Sequence, residues 1–253
     1  MNFSEMDYEY LSGKKFSNAY YFKFQENILY DRLTSLVRLT KGKKVLHVGC
    51  CDHLPLIEEK IKKGEWLQKL LDDACEFVLG IDINQEAIEF VNRENYSKHK
   101  VFCADITSSE SLTILPKYKF DFIILGEIVE HVNNPVDFLG RLKNNMDEYG
   151  FKGRYIITVP NAISTVRNGI LNKGLECINT DHRFWFTPYT ISKVMMEAGI
   201  KPEKILFSSF GGGGNGINRF TNKIFSIVEK IRTKPFAYKS WRGDQIIAIG
   251  KGI

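Results

Sequence analysis

The chain has 253 residues, of which 43% are hydrophobic and 26% charged, with five cysteines and a formal charge of +5. That length and apolar content suit a single α/β domain with a sizeable core, and no apolar run approaches the roughly eighteen residues that cross a bilayer. Five scattered cysteines without Cys-x-x-Cys spacing fit a reducing cytoplasm better than a disulfide framework, and the mild basic excess falls short of a typical nucleic-acid binder. The opening residues, MNFSEMDYEYLSGKK, lack the apolar centre of a signal peptide.

In chain order, residues 17–40 place Tyr21, Phe24, Ile28 and Leu33 at helical spacing, which predicts an N-terminal helical cap within residues 1–40. KKVLHVG (43–49) is a short buried strand closed by glycine. Residues 54–73 carry leucines and isoleucines at helical spacing; strands are expected at 77–83, 101–106 and 120–128, with a helix over QEAIEFVNRE. Asn134-Pro135 and Thr187-Pro188 each pair an N-cap residue with a first-turn proline, so both open helices, and Gly199 stops the second. Further strands are expected at 154–160, 204–210 and 245–252. Strands alternating with helices imply a mostly parallel sheet covered on both faces, in one domain spanning 1–253. The irregular stretches 161–186 and 211–243 are expected to be substrate-side insertions.

In such a sheet, ligands bind beyond the carboxyl ends of the strands. Gly49-Cys50-Cys51-Asp52-His53 follows the first strand, where glycine admits a close backbone approach and a helix N-terminus offers free N–H groups. Asp82 ends the second strand and can accept hydrogen bonds from both hydroxyls of a ribose. Asp105 ends the third, placed for the exocyclic amine of a base, and Gly126 and Glu127 end the fourth. One nucleoside would touch four consecutive strand ends.

These residues carry a resemblance to the class I S-adenosylmethionine-dependent methyltransferases. It covers roughly residues 43–200 through VLHVGC (45–50), GIDIN (80–84), CADI (103–106), ILGEIVEHVNNPVDFLGRL (124–142), IITVPN (156–161) and DHRFWFTPYTISKVMMEAG (181–199), whose order and separation are specific. The resemblance implies a Rossmann-like seven-stranded sheet with an antiparallel last strand, and S-adenosylmethionine as cofactor. Gly49 would support its methionine end, Asp82 its ribose and Asp105 its adenine amine. The whole cofactor set is Gly49, Cys50, Cys51, Asp82, Ile83, Asp105, Ile106, Gly126 and Glu127. The first loop departs from the family's acid-x-Gly-x-Gly-x-Gly pattern: His47 stands for the acid, Cys51 and His53 for the later glycines, and the gap to Asp82 is long.

Glu127, Glu130 and His131 would share a face if they stood on a helical turn, which suggests a general base, a metal site, or both. The run resembles that of the ubiquinone-pathway O-methyltransferases, where it implies a divalent cation. Metal-free relatives carry it too, so no metal is assigned, and His131 and Glu130 are taken as the catalytic pair. Gly211-x-Gly213-x-x-Gly216 matches a dinucleotide fingerprint, but no strand-end acid follows it, and it reads as a flexible loop. Residues 217–243 hold seven basic residues against Glu229 alone, which suits a solvated basic face, a phosphate-bearing acceptor, or a peripheral contact with an anionic membrane.

The expected activity is O-methylation of a sugar or sugar-derived precursor in a surface-polysaccharide pathway, because the pattern also resembles small stand-alone methyltransferases of such pathways. The alternatives are a phenolic or quinol acceptor, or a cofactor-binding subunit without turnover. No nucleic-acid partner is expected, since the Asn-Pro-Pro-aromatic run of base-amine methyltransferases is absent after the fourth strand.

Overall fold

The structure is a computed structural model that describes residues 3–27, 30–116, 119–209 and 240–253. Its sheet has seven strands: β1 (Lys44–Val48), β2 (Phe77–Asp82), β3 (Phe102–Cys103), β4 (Phe122–Gly126), β5 (Arg154–Pro160), β6 (Ile200–Ser208) and β7 (Gln245–Gly252). They lie in the order β3-β2-β1-β4-β5-β7-β6. All pairings from β3 to β5 are parallel, and β7 runs antiparallel to both of its neighbours, as expected. Strand order reverses between β1 and β4, which makes that gap the switch point where ligands bind.

Each central strand buries side chains on both faces, so it reads as a continuous apolar run. Leu46, Ile123, Leu125 and Ile157 pack with Leu139, Leu142 and Met146 of α6 (Pro135–Glu148) and with Ile191 and Met195 of α8 (Pro188–Glu197). Val45, Val78, Ile124 and Ile156 point the other way, onto Leu36 of α2 (Arg32–Thr40) and Leu67 and Leu71 of α4 (Leu67–Ala74). The two proline-opened helices start where expected: Asn134 accepts from the Asp137 N–H and Thr187 from the Thr190 N–H.

The N-terminal expectation is corrected. Among the described residues of 17–40 only α2 is helical; residues 21–27 run as an extended strap, preceded by a short α1 (Glu5–Leu11). Phe22 and Phe24 face inward while Lys23 and Tyr21 face out, Tyr21 being 93% exposed, so the apolar period here is two rather than 3.6. Asn27 completes the strap by pairing both its amide atoms with the backbone of Phe207 on the edge strand β6. That blunts an otherwise open sheet edge. Residues 54–73 form two helices, α3 (Leu54–Lys63) and α4, because Gly64 adopts φ +68° and caps α3 with its N–H on Ile61. These two helices fill the long gap between Gly49 and Asp82. The third strand shortens to two residues, which leaves Asp105 and Ile106 beyond it, and β6 begins at Ile200 rather than 204. The Gly211 run and most of the basic stretch, 217–239, lie outside the described residues. Among those described, no helix is long and apolar enough to cross a membrane.

Candidate active site

The loop after β1 opens with Gly49 at φ +68°, its N–H bonded to the Ile81 carbonyl. A Cβ there would lie 2.6 Å from Ile128 Cδ1, so glycine is required on both conformational and steric grounds. Cys50 is buried and its carbonyl accepts from Trp66 Nε1; Cys51 turns its N–H onto Asp82 Oδ2 at 2.9 Å. Asp82 Oδ1 accepts from the Asn84 N–H at 3.0 Å. Asn84, not Asp82, is the side-chain cap of α5 (Gln85–Arg93). The carboxylate is therefore fixed by two backbone donors from two loops, half-exposed, with lone pairs left over for a ligand. Ile83 beside it is 77% exposed, an unusual state for a large apolar residue and suited to cover a flat aromatic base.

Asp105 is exposed, and its Oδ1 accepts from the N–H and hydroxyl of Thr107. Its Oδ2 has no protein partner among the described residues. Ile106 is buried in the core below it. Cys50, Cys51 and Asp82 also stand close enough to offer ligand atoms to a metal, with each Asp82 oxygen held by one backbone N–H.

His47, where the family's acid was expected, is buried on β1 with Nδ1 2.9 Å from Gln68 Oε1. Burial lowers its pKa from 6.5 to about 4, with the Arg32 charge adding to the effect against the Gln68 hydrogen bond. The unfolded chain takes up this proton near 6.5 and the folded one only near 4, so the stability His47 confers is complete above 6.5 and lost on acidification. Between those limits its share of the slope is about 1.4 kcal/mol per pH unit. Urea unfolding from pH 7 to pH 4 is expected to show a shallower decline in a His47→Asn variant than in the native chain.

After β4 the chain turns sharply. Glu127 holds φ +58°, a left-handed conformation that costs a non-glycine residue about 1 kcal/mol and marks a functional turn. It is held there by Thr158 on β5: the Glu127 N–H bonds its carbonyl, and the Thr158 hydroxyl donates to Glu127 Oε1 at 3.0 Å. Residues 127–131 form a turn, not a helix, so the expectation that Glu127, Glu130 and His131 share a helical face is corrected. Glu127 turns to Thr158, whereas Glu130 and His131 meet His182. The two imidazole rings sit edge to face with centroids 4.6 Å apart. Ligand atoms of Glu130, His131 and His182 all lie within 4.8 Å of one another.

Glu130 is 0% exposed, and neither of its carboxylate oxygens has a hydrogen-bond partner. Burial, reinforced by the Glu127 charge, pushes its pKa far above the carboxylate range. Burial also lowers His182, to about 4, helped by His131 and Arg167, so its imidazole is neutral. Arg183 ties the two halves together, with its N–H on the Glu130 carbonyl and its guanidinium on the His131 carbonyl.

Beside this cluster, α7 (Thr165–Leu171) and the segment after it enclose a cavity of about 140 Å³ lined by Ala162, Ile170, Leu171, Arg167 and Trp185. Arg167 lies over the Trp185 ring at 3.7 Å, its Nε buried without a partner, while Trp185 Nε1 donates to Glu176. A larger open groove of about 530 Å³ between α5 and β3 contains none of these residues. His182, Arg167 and Trp185 carried no role in the sequence reading. With five histidines in the chain, His182 in the Asp-His-Arg-Phe-Trp run was the one remaining signal close to the others.

A family model described as "Methyltransferase domain" matches residues 21–205. No curated protein matches the chain. Among solved structures, similar chains include a S-adenosylmethionine-dependent methyltransferase of Thermotoga maritima, titled as a possible histamine N-methyltransferase (12% identity, 87% of each chain, TM-score 0.52). Others are a methyltransferase of Bacillus halodurans (15%, 87% of this chain and 98% of that one, 0.50) and the magnesium protoporphyrin IX methyltransferase of Synechocystis, solved with S-adenosylhomocysteine (15%, 87% and 82%, 0.50). At these identities the likeness establishes the fold. With nearly three quarters of its length matched by the family model, and with the strand order and antiparallel seventh strand in place, the chain belongs to the methyltransferase-domain family and is an S-adenosylmethionine-dependent methyltransferase.

Proposed function

We propose that the enzyme methylates a hydroxyl oxygen of a sugar or sugar-derived acceptor, of the kind used in surface-polysaccharide assembly. The observation that carries the reading is the Glu130–His131–His182 cluster beyond β4, with a ring-sized cavity lined by Arg167 and Trp185 beside it. In this reading Asp82 holds the ribose, Asp105 the adenine amine with Ile83 and Ile106 beside the base, and Gly49, Cys50 and Cys51 the methionine end. Gly126 and Glu127 form the floor under the sulfonium. The acceptor oxygen attacks the methyl carbon, the carbon–sulfur bond breaks with its electron pair going to sulfur, and S-adenosylhomocysteine leaves. The hydroxyl proton departs toward His131, beside which the buried Glu130 stands. The cofactor is intrinsically reactive, so alignment and proton removal are what the protein supplies.

A cavity of about 140 Å³ is close to the roughly 150 Å³ that accommodates a benzene-sized ring. Arg167 adds a desolvated cation that suits a phosphate or carboxylate on the acceptor. The apolar lining by Ile170, Leu171 and Trp185 supports a second reading, a phenolic acceptor in the same place. Incubation with labelled S-adenosylmethionine and matched panels of hydroxylated sugars, sugar phosphates and phenols separates them. Label in an alkali-stable O-methyl sugar is the expected result. Transfer to phenols alone favours the second reading, and transfer only to amines sinks both.

A further inference from the structure

A fully buried carboxyl group with both oxygens unpartnered leaves its bonding capacity unmet. Glu130 lies against two imidazoles, and the buried His182 Nδ1 is likewise without a partner. No hydrogen bond joins the three side chains, although their ligand atoms converge within 4.8 Å. Three groups that face one another without bonding leave a gap for a shared partner that accepts electron pairs from all of them. A cation does this.

We infer that Glu130, His131 and His182 bind a first-row divalent cation of the zinc type. Two imidazoles and one carboxylate form a three-ligand set that leaves a fourth position open, as in catalytic zinc sites, and imidazole donors disfavour magnesium and calcium. The supporting contacts are present. Arg183 bonds the Glu130 carbonyl through its backbone N–H and the His131 carbonyl through its guanidinium, and it is the next residue after His182, so one residue ties all three ligand positions together. Glu127 is outside the set, because its Oε1 is engaged by Thr158 and its backbone is turned away at φ +58°. The ion departs in this from the Glu127–Glu130–His131 set that the Glu-x-x-Glu-His run suggests. At the open position, a bound hydroxyl would be acidified, as metal-bound water is. The assignment rests on the reading above that this cluster serves the acceptor, and with the ion bound His131 and Glu130 would hold it rather than take the proton; its test reads binding rather than turnover, so the two can fail separately.

Chelator-stripped enzyme, titrated calorimetrically with Zn²⁺ in the absence of acceptor, is expected to take up one ion, with no uptake of Mg²⁺ at the same concentrations. Co²⁺ in its place is expected to give a visible absorption band of a low-coordinate site. The isosteric Glu130→Gln variant and His182→Asn should each weaken Zn²⁺ by more than the roughly 10- to 100-fold that a mere supporting residue costs. Cys51→Ser should leave the affinity unchanged, and Glu127→Gln, which removes a neighbouring charge but no ligand, should change it by less than about tenfold, with thermal melts confirming that all four variants fold. Absence of uptake by the native chain overturns the assignment, as does Zn²⁺ binding that survives both Glu130→Gln and His182→Asn. Equal sensitivity to Glu127→Gln would move the ion to the other set, and loss with Cys51→Ser would move it to the first loop; either outcome also overturns it.

Discussion

His131→Ala is expected to lower kcat by roughly a hundredfold to ten-thousandfold, the usual worth of a group that manages the acceptor's proton. Cofactor affinity should barely change, because none of the cofactor-side contacts after β1, β2 or β3 involves this side chain. The loss would then be confined to the transition state. Local collapse is not expected to confuse the result. Arg183 bonds the carbonyl of residue 131 rather than its ring, and the N–H of residue 131 bonds the Ile128 carbonyl, so the turn survives truncation. Steady-state kinetics beside calorimetric titration of S-adenosylmethionine checks both halves. Full turnover in the variant would remove His131 from the chemistry and leave proximity to carry the reaction.

Asp82→Ala is expected to weaken S-adenosylmethionine binding by roughly 2–4 kcal/mol, through loss of charge-assisted bonds to the ribose. Part of that cost has a second source. The carboxylate also receives the Cys51 and Asn84 N–H groups, so removing it frees the first loop from β2 and orphans two donors. Asp82→Asn separates the contributions, since its amide oxygen can keep one backbone bond while losing the charge. An intermediate affinity for Asn, measured by the same titration, is the expected order. Unchanged binding in the Ala variant would mean that the nucleoside lies elsewhere.

The sheet was legible because its strands are buried on both faces and read as apolar runs, and because Asn134-Pro135 and Thr187-Pro188 announce helix starts by a local mechanism. The strap at 21–27 was not. Tyr21 and Phe24 sit three apart and imitate a helical face, while the alternation of Phe22 and Phe24 with exposed neighbours reveals its meaning only once β6 supplies a surface. Gly49, Asp82 and Gly126 lie at or just beyond strand ends, as the sequence indicated, because strand ends are fixed by the sheet, whereas Asp105 falls past the shortened β3. The Glu130–His131–His182 cluster was half legible. Glu130 and His131 adjoin β4 in sequence, but His182 arrives from a segment after β5, and Arg183 brings it there by long-range bonds no local pattern encodes. Glu127 was misplaced because its left-handed turn depends on Thr158, thirty-one positions away in the sequence.

The position of β7 has a consequence for how the molecule is made. β6 has no ladder partner except β7, and β5 keeps its second edge open until β7 fills it. A chain synthesised in order therefore completes β6 while its neighbour does not yet exist, and carries two unpaired strand edges until residues 245–252 arrive. Such edges are the species that aggregate during folding, and the long sequence separation makes their closure slow. Substitutions that weaken Ile246–Ala248 should then act chiefly as yield defects in cells, with the molecules that do mature retaining near-normal turnover.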